Sequence, residues 1–491
     1  MGNASVVKPM TAVASTKGAF VLLSSGLVFL VSSEDLFAET LRSALTRAYY
    51  GNPDLNQSRA NVRVRDEDAP KAIAGLRPKA SITAQGGAQY AAIKMPFGGS
   101  SSQQAGAAPA PGASGDFQQT YVGYPRGTTL NLQQTLFDGF RTENSVRQAE
   151  SGIFAARSTM RLTEQATLQN GATAYMNVLR DTAVLSLRKN NISVLEEQLK
   201  QARDRFQVGE VTRTDVAQAE ASLALARSEF YAAQAQLKTS VANYRQIIGA
   251  EPKHLEPGRS LEPLLPKSLE QAIAIALVEH PGVTAAFHQV DAAALAIKVA
   301  EGALMPSLSV KGEVSNQYDS FLGLPGSKQF TAVASAQLNV PLYQGGAEYA
   351  SIRQAKEQLG QARLNADLQR DSVRASVVSS YGLLETAKAS IISGQAAVKA
   401  AETALAGVRE EAKVGQRTTL DVLNAQQALL NARVNLVTSQ RDRVVASYAA
   451  LGSIGRLSAR ELNLAVNFYD PTIHFDQVRN QWFGMDPPDG R

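Results

Sequence analysis

The chain has 491 residues, of which 44% are hydrophobic and 19% are charged, and its formal net charge is +5. This weak positive charge comes without a basic cluster or interleaved aromatic residues, which argues against a nucleic-acid partner. The sequence contains no cysteine, so disulfides, cysteine nucleophiles and an N-terminal lipid-modified cysteine are excluded.

Residues 1–38 have the pattern of a secretory signal peptide. Two lysines precede an apolar run at residues 19–31, and small residues follow it. The run is too short for a membrane anchor. Ser33 and Ala38 both offer a cleavage point. A buried N-terminal helix is the alternative, but the pattern favours export.

Two pairs of strands are predicted, one in each half of the chain. The first pair lies at about residues 80–134 and encloses a Gly/Ser/Ala/Pro tract, residues 98–115, which predicts a solvated loop. The second pair lies at about residues 306–340, and residues 330–340 alternate strictly between apolar and other side chains. Each strand has about ten residues, the length that a tilted strand needs to cross an outer membrane.

The predicted strands favour a closed β-barrel as the membrane-spanning part of an exported chain. Only helices and closed barrels satisfy the backbone in lipid, and no apolar run after residue 38 is long enough for a membrane helix. Aromatic residues gather near the strand ends, as in an interfacial girdle: Tyr90, Tyr121, Tyr124, Phe137, Tyr318, Phe321, Phe330 and Tyr343. Four strands are too few to close such a barrel, so several copies must share one.

A helical hairpin occurs twice, at an offset of 206 residues. Val208-Gly209 is followed by Asp215, and Val414-Gly415 is followed by Asp421. The apolar positions before the first turn are Ile192, Leu195, Leu199, Ala202 and Phe206, and their counterparts are Val398, Ala401, Leu405, Val408 and Ala412. Matching registers over about forty residues indicate a duplicated unit with a heptad seam.

The arms of the hairpins are unusually long. They are predicted to begin near Phe140 and Gly346 and to end at the two Val-Gly turns, which gives roughly 100 Å at 1.5 Å per residue. A helix of this length with a narrow apolar seam must pack against other long helices.

The repeat defines the predicted domains. Residues 39–250 form the first repeat, 251–267 a linker, and 268–455 the second repeat. Residues 456–491 form a C-terminal tail that holds the only tryptophan of the sequence, Trp482. The sequence leaves open whether this tail packs around the middle of the helices or moves freely.

The segment from Leu136 to Phe140, its partner from Pro341 to Gly346, and the two Val-Gly turns resemble the corresponding motifs of TolC-type outer-membrane efflux proteins. The resemblance implies an α+β membrane protein: a homotrimer in which four strands per chain form a 12-stranded β-barrel, continuous with a long α-helical coiled-coil barrel in the periplasm. It implies an exit duct in outer-membrane lipid for small-molecule efflux, type I protein secretion or both. The implied partners are a periplasmic adaptor and an inner-membrane pump of the RND or ABC type. No cofactor and no enzymatic activity are implied.

The resemblance also places a gate at the second Val-Gly turn. Asp421 aligns with a ring of aspartates that narrows the pore, and Asn424 stands where a second ring would be, so we expect weaker cation block. Arg417 is one helical turn from Asp421, which permits an ion pair within the chain. Asp215 is the equivalent in the first repeat and a candidate for a gating contact. The alternative for both aspartates is helix capping.

The two turns, Val208-Gly209 and Val414-Gly415, correspond to the tips that adaptor hairpins touch in this family. A glycine there also ends a helix in the left-handed conformation. Both roles are compatible, since a helix end without a bulky side chain leaves room for a partner.

Two other functional classes share some of these features with a channel. A periplasmic coiled-coil adaptor or structural protein would share the signal peptide and the heptads but would lack the paired ten-residue strands. An enzyme is disfavoured because the four histidines are scattered and the sequence has no HExxH, GxSxG or P-loop motif. The sequence does not identify the cargo, the adaptor or the pump.

Overall fold

The computed structural model describes residues 39–96, 116–319 and 326–488. The predicted signal peptide, residues 1–38, and the predicted loop, residues 98–115, lie outside this part of the chain. Helices account for most of the described residues, and six strands form two small sheets. None of the described helices is both long enough and apolar enough to cross a membrane.

Two helical hairpins dominate the described chain. In the first, α4 (Arg141–Gln207) has 67 residues and α5 (Arg213–Ile248) has 36. In the second, α8 (Ala347–Lys413) and α9 (Thr419–Ile454) have the same two lengths. The predicted arms and their turns are therefore confirmed, and the long helices span about 100 Å.

The other helices are shorter, and of these α6 and α7 connect the first hairpin to the second strand pair. They are α1 (Leu41–Gly51), α2 (Pro53–Asp66), α3 (Asp68–Ile73), α6 (Leu269–Glu279), α7 (Pro281–Glu301) and α10 (Pro471–Val478). Both α2 and α7 begin with a proline, whose fixed φ suits the first helical position. The preceding Asn52 and His280 accept backbone hydrogen bonds from the first turn of these helices.

The main sheet has four antiparallel strands in the order β1-β4-β5-β6. These strands are β1 (Lys79–Gly86), β4 (Arg126–Phe137), β5 (Ser307–Tyr318) and β6 (Lys328–Asn339). A separate hairpin, β2 (Gln89–Pro96) and β3 (Asp116–Gly123), continues the first strand pair. The sequence predicts one continuous strand on each side of the loop, at about residues 80–90 and 121–134, and the structure divides both of them. The breaks fall at Gly87-Ala88 and at Tyr124-Pro125, where proline has no N–H to donate to a ladder.

The strand register separates the sheet into two chemically different faces. Opposed residues share a face, and the pairs Ile82–Leu130, Leu130–Val314 and Val314–Ala332 are all apolar or small. The alternate pairs Ser81–Asn131, Gln133–Lys311 and Lys311–Ser335 are polar. The predicted alternation is thus extended across all four strands, and the apolar face is solvent-exposed in the single chain, with Ile82 76% and Leu338 64% exposed.

One aromatic residue does not lie where the predicted girdle would place it. Tyr121 is 3% exposed, and its hydroxyl donates to the backbone oxygen and to a side-chain oxygen of Asp319, both at 2.9 Å. The same carboxylate accepts from the Tyr124 N–H at 2.7 Å. Tyr121 therefore fastens the β2–β3 hairpin to the end of β5. Phe321 lies outside the described residues.

The C-terminal tail packs against the helices between residues 457 and 478, and residues 481–488 are exposed. Four of its apolar residues join the largest core cluster, together with residues of α1, α4 and α9: Leu457, Ala459, Leu462 and Leu464. Further along, His474 on α10 lies 3.1 Å from the buried carboxylate of Asp66 on α2. The tail is thus held against the helices by the apolar residues between 457 and 464 and, further along, by the contact of His474 with Asp66.

Candidate gate and docking tips

Both predicted tips are helix ends closed by the same backbone motif. In the first, the Glu210 N–H donates to the Arg205 carbonyl at 2.9 Å and the Gly209 N–H donates to the Phe206 carbonyl at 3.0 Å. This pair of bonds is the Schellman motif, which requires a left-handed residue after the helix. Gly209 has a φ of 80°, as the motif demands.

The second tip repeats this geometry. The Gln416 N–H donates to the Glu411 carbonyl at 2.9 Å, and Gly415 has a φ of 81°. An added Cβ would meet no atom within 4 Å at either glycine. Val208 and Val414 precede the glycines and are each 71% exposed. Each tip therefore exposes a valine side chain next to an uncovered glycine, and no other part of the described chain packs over them.

The two aspartates after the tips occupy identical capping boxes. The Asp421 carboxylate accepts from the Thr418 N–H at 3.0 Å and from its hydroxyl at 2.9 Å, while the Thr418 hydroxyl accepts from the Asp421 N–H at 3.2 Å. Asp215 and Thr212 form the corresponding bonds in the first repeat. Capping is therefore confirmed for both aspartates, and it leaves the second carboxylate oxygen of each available for other contacts.

Hydrogen bonds hold the Asp421 carboxylate in its charged form. The Thr418 N–H and hydroxyl lower the pKa of Asp421, and the nearby positive charge of Arg417 lowers it further. The gate candidate is thus anionic at every physiological pH.

Arg417 does not form the ion pair with Asp421 that its spacing permits. Its Nε donates to Glu411 at 2.8 Å, across the turn, and this carboxylate raises the pKa of Arg417. The i,i+4 geometry applies within one helix, but Arg417 precedes the first residue of α9 and lies in the turn. Arg417 and Asp421 remain neighbours that interact electrostatically.

Residues close to Asp421 show how the second hairpin meets the first. Leu423 is 5% exposed and packs in a cluster with Leu195 and Leu199 of α4 and Leu223 of α5. Asn424, the next residue, is exposed. The hairpins are therefore in contact one turn beyond the capping box, and Asn424 faces away from that contact.

Two functional details were missed by the sequence reasoning. The Thr-x-x-Asp spacing of 212–215 and 418–421 is a capping-box pattern, and it would have identified Thr212 and Thr418 as the N-caps. The role of Glu411 had no such signal, since its contact with Arg417 crosses the turn. Among the residues that the structure describes, no cluster of three His, Asp or Glu side chains is arranged to hold a metal ion.

Comparison with known proteins identifies the family of this fold. A family model described as outer membrane efflux protein matches residues 44–250 and 272–455. The chain belongs to the outer membrane efflux protein family. The predicted resemblance to TolC-type proteins is thereby confirmed.

Relatives and solved structures of this family agree with the assignment. The outer membrane efflux protein BepC of Brucella suis is 42% identical over 474 residues, covering 96% of this chain and 97% of BepC. The alkaline protease secretion protein AprF of Pseudomonas aeruginosa is 27% identical over 365 residues, covering 72% and 75% of the two chains. The crystal structure of the Campylobacter jejuni CmeC outer membrane channel has a TM-score of 0.72 at 17% identity, covering 90% of this chain and 89% of CmeC.

The family assignment settles the functional class. This chain is an outer-membrane efflux channel, with relatives in both efflux and secretion, as the sequence predicted. The relatives are channel and secretion proteins, which agrees with the expectation that it is not an enzyme. The alternative of a periplasmic adaptor or structural coiled coil is not favoured by these findings.

Proposed function

We propose that three copies of this chain form a 12-stranded barrel in outer-membrane lipid, continuous with an α-helical coiled-coil barrel in the periplasm. The observation that carries this proposal is the four-stranded sheet, which has one apolar face, one polar face and two open edges. In a single chain the apolar face would lie in water at a large hydrophobic cost. In a membrane barrel that face meets lipid and the polar face lines the lumen.

The open edges support the shared barrel. Within the described residues, β1 pairs only with β4, and β6 pairs only with β5. An edge strand carries a row of N–H and C=O groups that cannot remain unpaired in lipid. Pairing β6 of one copy with β1 of the next satisfies both edges and closes the barrel.

The long helices support the same assembly. Leu364, Leu368, Val378 and Ile392 lie along α8, and each is between 46% and 71% exposed. They form a stripe opposite the side of α8 that is buried within the chain, where Ala366, Val373 and Val377 lie. In a helical barrel the neighbouring copy covers such a stripe.

The gate and the partners follow from this arrangement. Asp421 lies near the tip of α9, where three carboxylates converge around the axis and attract cations, and Asn424 provides a neutral ring beside it. Asp215 and Arg417 flank this constriction.

The exposed tips at Val208-Gly209 and Val414-Gly415 receive the adaptor, which links the channel to an inner-membrane pump of the RND or ABC type. We assign small-molecule efflux as the main activity, since BepC at 42% identity is named an efflux protein. Protein secretion is the second candidate, because AprF is named for it.

Single cysteines test the orientation of the sheet, since the sequence has no native cysteine. In proteoliposomes, Ser335→Cys and Gln337→Cys should react with a water-soluble maleimide through the lumen. The matched neighbours Ala334→Cys and Ala336→Cys should react only with a lipid-phase reagent. The opposite pattern would overturn the assignment of the two faces, and equal reaction at all four positions would exclude a membrane barrel.

A further inference from the structure

We propose that a groove at the foot of the main sheet binds a phospholipid headgroup of the inner leaflet, and that the C-terminal tail anchors the channel there. The groove has a volume of about 700 Å³ and lies between the end of α3, the first turns of α4 and residues 479–482 of the tail. This inference rests on the proposed barrel, because it takes the apolar face of the sheet to contact lipid.

The groove continues the apolar face of the sheet. Pro78 and Gln134 line it, and both have the parity of the apolar face: Pro78 precedes Ala80 by two residues, and Gln134 follows Leu132 by two. β4 ends three residues beyond Gln134 and leads into α4. The groove is therefore at the level where the strands leave the membrane and the periplasmic helices begin. That level contains the headgroups of the inner leaflet.

The lining combines apolar surface with arginine. Ile73, Leu76, Val146 and Trp482 supply the apolar part. The charged part consists of Arg77, Arg147, Arg479, Glu143 and Glu150. Such a combination of apolar surface and cationic groups fits a lipid that presents acyl carbons beside a phosphate.

One arginine is available for a phosphate. Arg147 donates to Glu143 at 2.7 Å and Arg479 donates to Glu150 at 2.8 Å, so each is matched by a carboxylate. Arg77 instead donates to the Gln481 carbonyl at 2.7 Å, and its guanidinium lies 4.7 Å from the centre of the Trp482 ring. No carboxylate pairs with Arg77 among the described residues, so its charge is not neutralised and can bind a lipid phosphate.

The tail presents apolar side chains at the same level. Trp482 is 58% exposed, Phe483 is 87% exposed and Met485 is fully exposed. Tryptophan is enriched at membrane interfaces, because its ring is apolar and its N–H remains hydrated. Three exposed apolar residues beside an uncompensated arginine are typical of an interfacial anchor rather than of a tail in water.

The single tryptophan of the sequence makes the proposal directly testable. The full chain is reconstituted into vesicles of phosphatidylethanolamine and phosphatidylglycerol, with or without acyl chains brominated near the headgroup. Bromine quenches tryptophan only at contact distance. We expect about a twofold loss of Trp482 emission in the brominated vesicles, and weak quenching by iodide in water.

Two relocated tryptophans provide the controls, both in a Trp482→Phe background. Ile82→Trp reports on the apolar face of the sheet, and Phe468→Trp reports on a part of the tail that packs beside Arg460 and does not line the groove. We expect quenching by brominated lipid for Ile82→Trp and none for Phe468→Trp. If brominated lipid quenches Ile82→Trp but not Trp482, the proposed tail anchor is wrong and the proposed barrel is still supported. If brominated lipid does not quench Ile82→Trp, the proposed lipid contact of the sheet is itself contradicted.

Two further measurements identify what covers the groove and whether Arg77 binds phosphate. Resistance of Trp482 to both quenchers would place a neighbouring copy over the groove and overturn the proposal. Arg77→Gln should lower the amount of phospholipid that the purified channel retains in native mass spectrometry. Arg126→Gln, at the other end of β4, is the matched control and should leave retention unchanged. Equal retention by both variants would contradict a role for Arg77.

Discussion

At the scale of single residues, the two capping boxes are structurally equal but are placed at different tips of the chain. Asp215 and Asp421 make the same three bonds with their threonines, at distances that agree within 0.1 Å. Replacing either aspartate should therefore lower helix stability to the same extent, whereas only the aspartate that lines the pore should affect ion selectivity. Comparing the two variants thus separates a capping role from a gating role.

The gate prediction uses this pair of residues. Asp421→Ala should reduce the cation selectivity of the channel in planar bilayers and its block by divalent cations, because the proposed ring of negative charge is removed. Asp215→Ala removes the same capping box, so it should lower helix stability equally and alter selectivity less. Thermal unfolding measures the first effect, and reversal potentials in a salt gradient measure the second. Equal selectivity in both variants and the parent channel would leave Asp421 with a capping role alone.

The docking prediction concerns Gly415. A φ of 81° strains any residue with a Cβ by about 1–2 kcal/mol, so a large substitution at this position tests both bulk and strain. Gly415→Ala introduces the strain without the bulk and is the matched control for Gly415→Trp. We expect Gly415→Trp to abolish export and Gly415→Ala to retain most of it, with normal conductance for both.

Drug sensitivity of a deletion strain carrying each variant provides the export measurement, and Gly209→Trp extends it to the first tip. The effects of the two tips need not be equal, since Phe206 in the first corresponds to Ala412 in the second. If both tryptophan variants export normally, these glycines serve only to end the helices.

At the scale of elements, the linker between the repeats is fixed to the second hairpin by one carboxylate. Glu262 lies 2.8 Å from Lys388 on α8 and 2.6 Å from Arg443 on α9. Hydrogen bonds from Arg443 and Lys388 lower the pKa of Glu262 to about 2, although partial burial opposes them. The linker thus holds α8 and α9 together at Lys388 and Arg443.

Glu262→Gln should lower the free energy of unfolding by about 1.5–3 kcal/mol at neutral pH, the usual value of a hydrogen bond to a charged group. Because the folded pKa lies below the ordinary value, the wild-type advantage is complete above about pH 4.5 and is lost as the pH falls towards 2. Thermal unfolding of both proteins across this range measures it. Glu357→Gln, on an exposed side of α8, removes the same charge and should change little. A constant difference at all pH values would contradict the ion-pair explanation.

Elements with a strong period were predictable, and contacts between elements were not. The hairpins follow from heptad spacing on both sides of Gly209 and Gly415, because a long seam permits only one register. The strand break before β2 was missed because alternation alone does not detect where Pro125 interrupts a ladder. The partner of Arg417 and the path of the tail depend on three-dimensional packing, which no local pattern encodes.

At the scale of the whole molecule, the exposed stripe on α8 predicts how copies assemble. Leu364 is 71% exposed and Leu368 is 69% exposed, so neither contributes much to the fold of a single chain. Changing both to glutamate should leave helix content unchanged but place charges where the neighbouring copy packs, at several kcal/mol for each unpaired buried charge. We therefore expect the double variant to be folded and to remain monomeric in detergent, as measured by light scattering and circular dichroism. Asn365→Glu adds a charge at an exposed position about a quarter-turn around the helix from this stripe, and this variant should still assemble as a trimer. A trimer of normal stability for the double variant would show that this stripe does not face a neighbouring copy, and the proposed helical barrel would need a different interface.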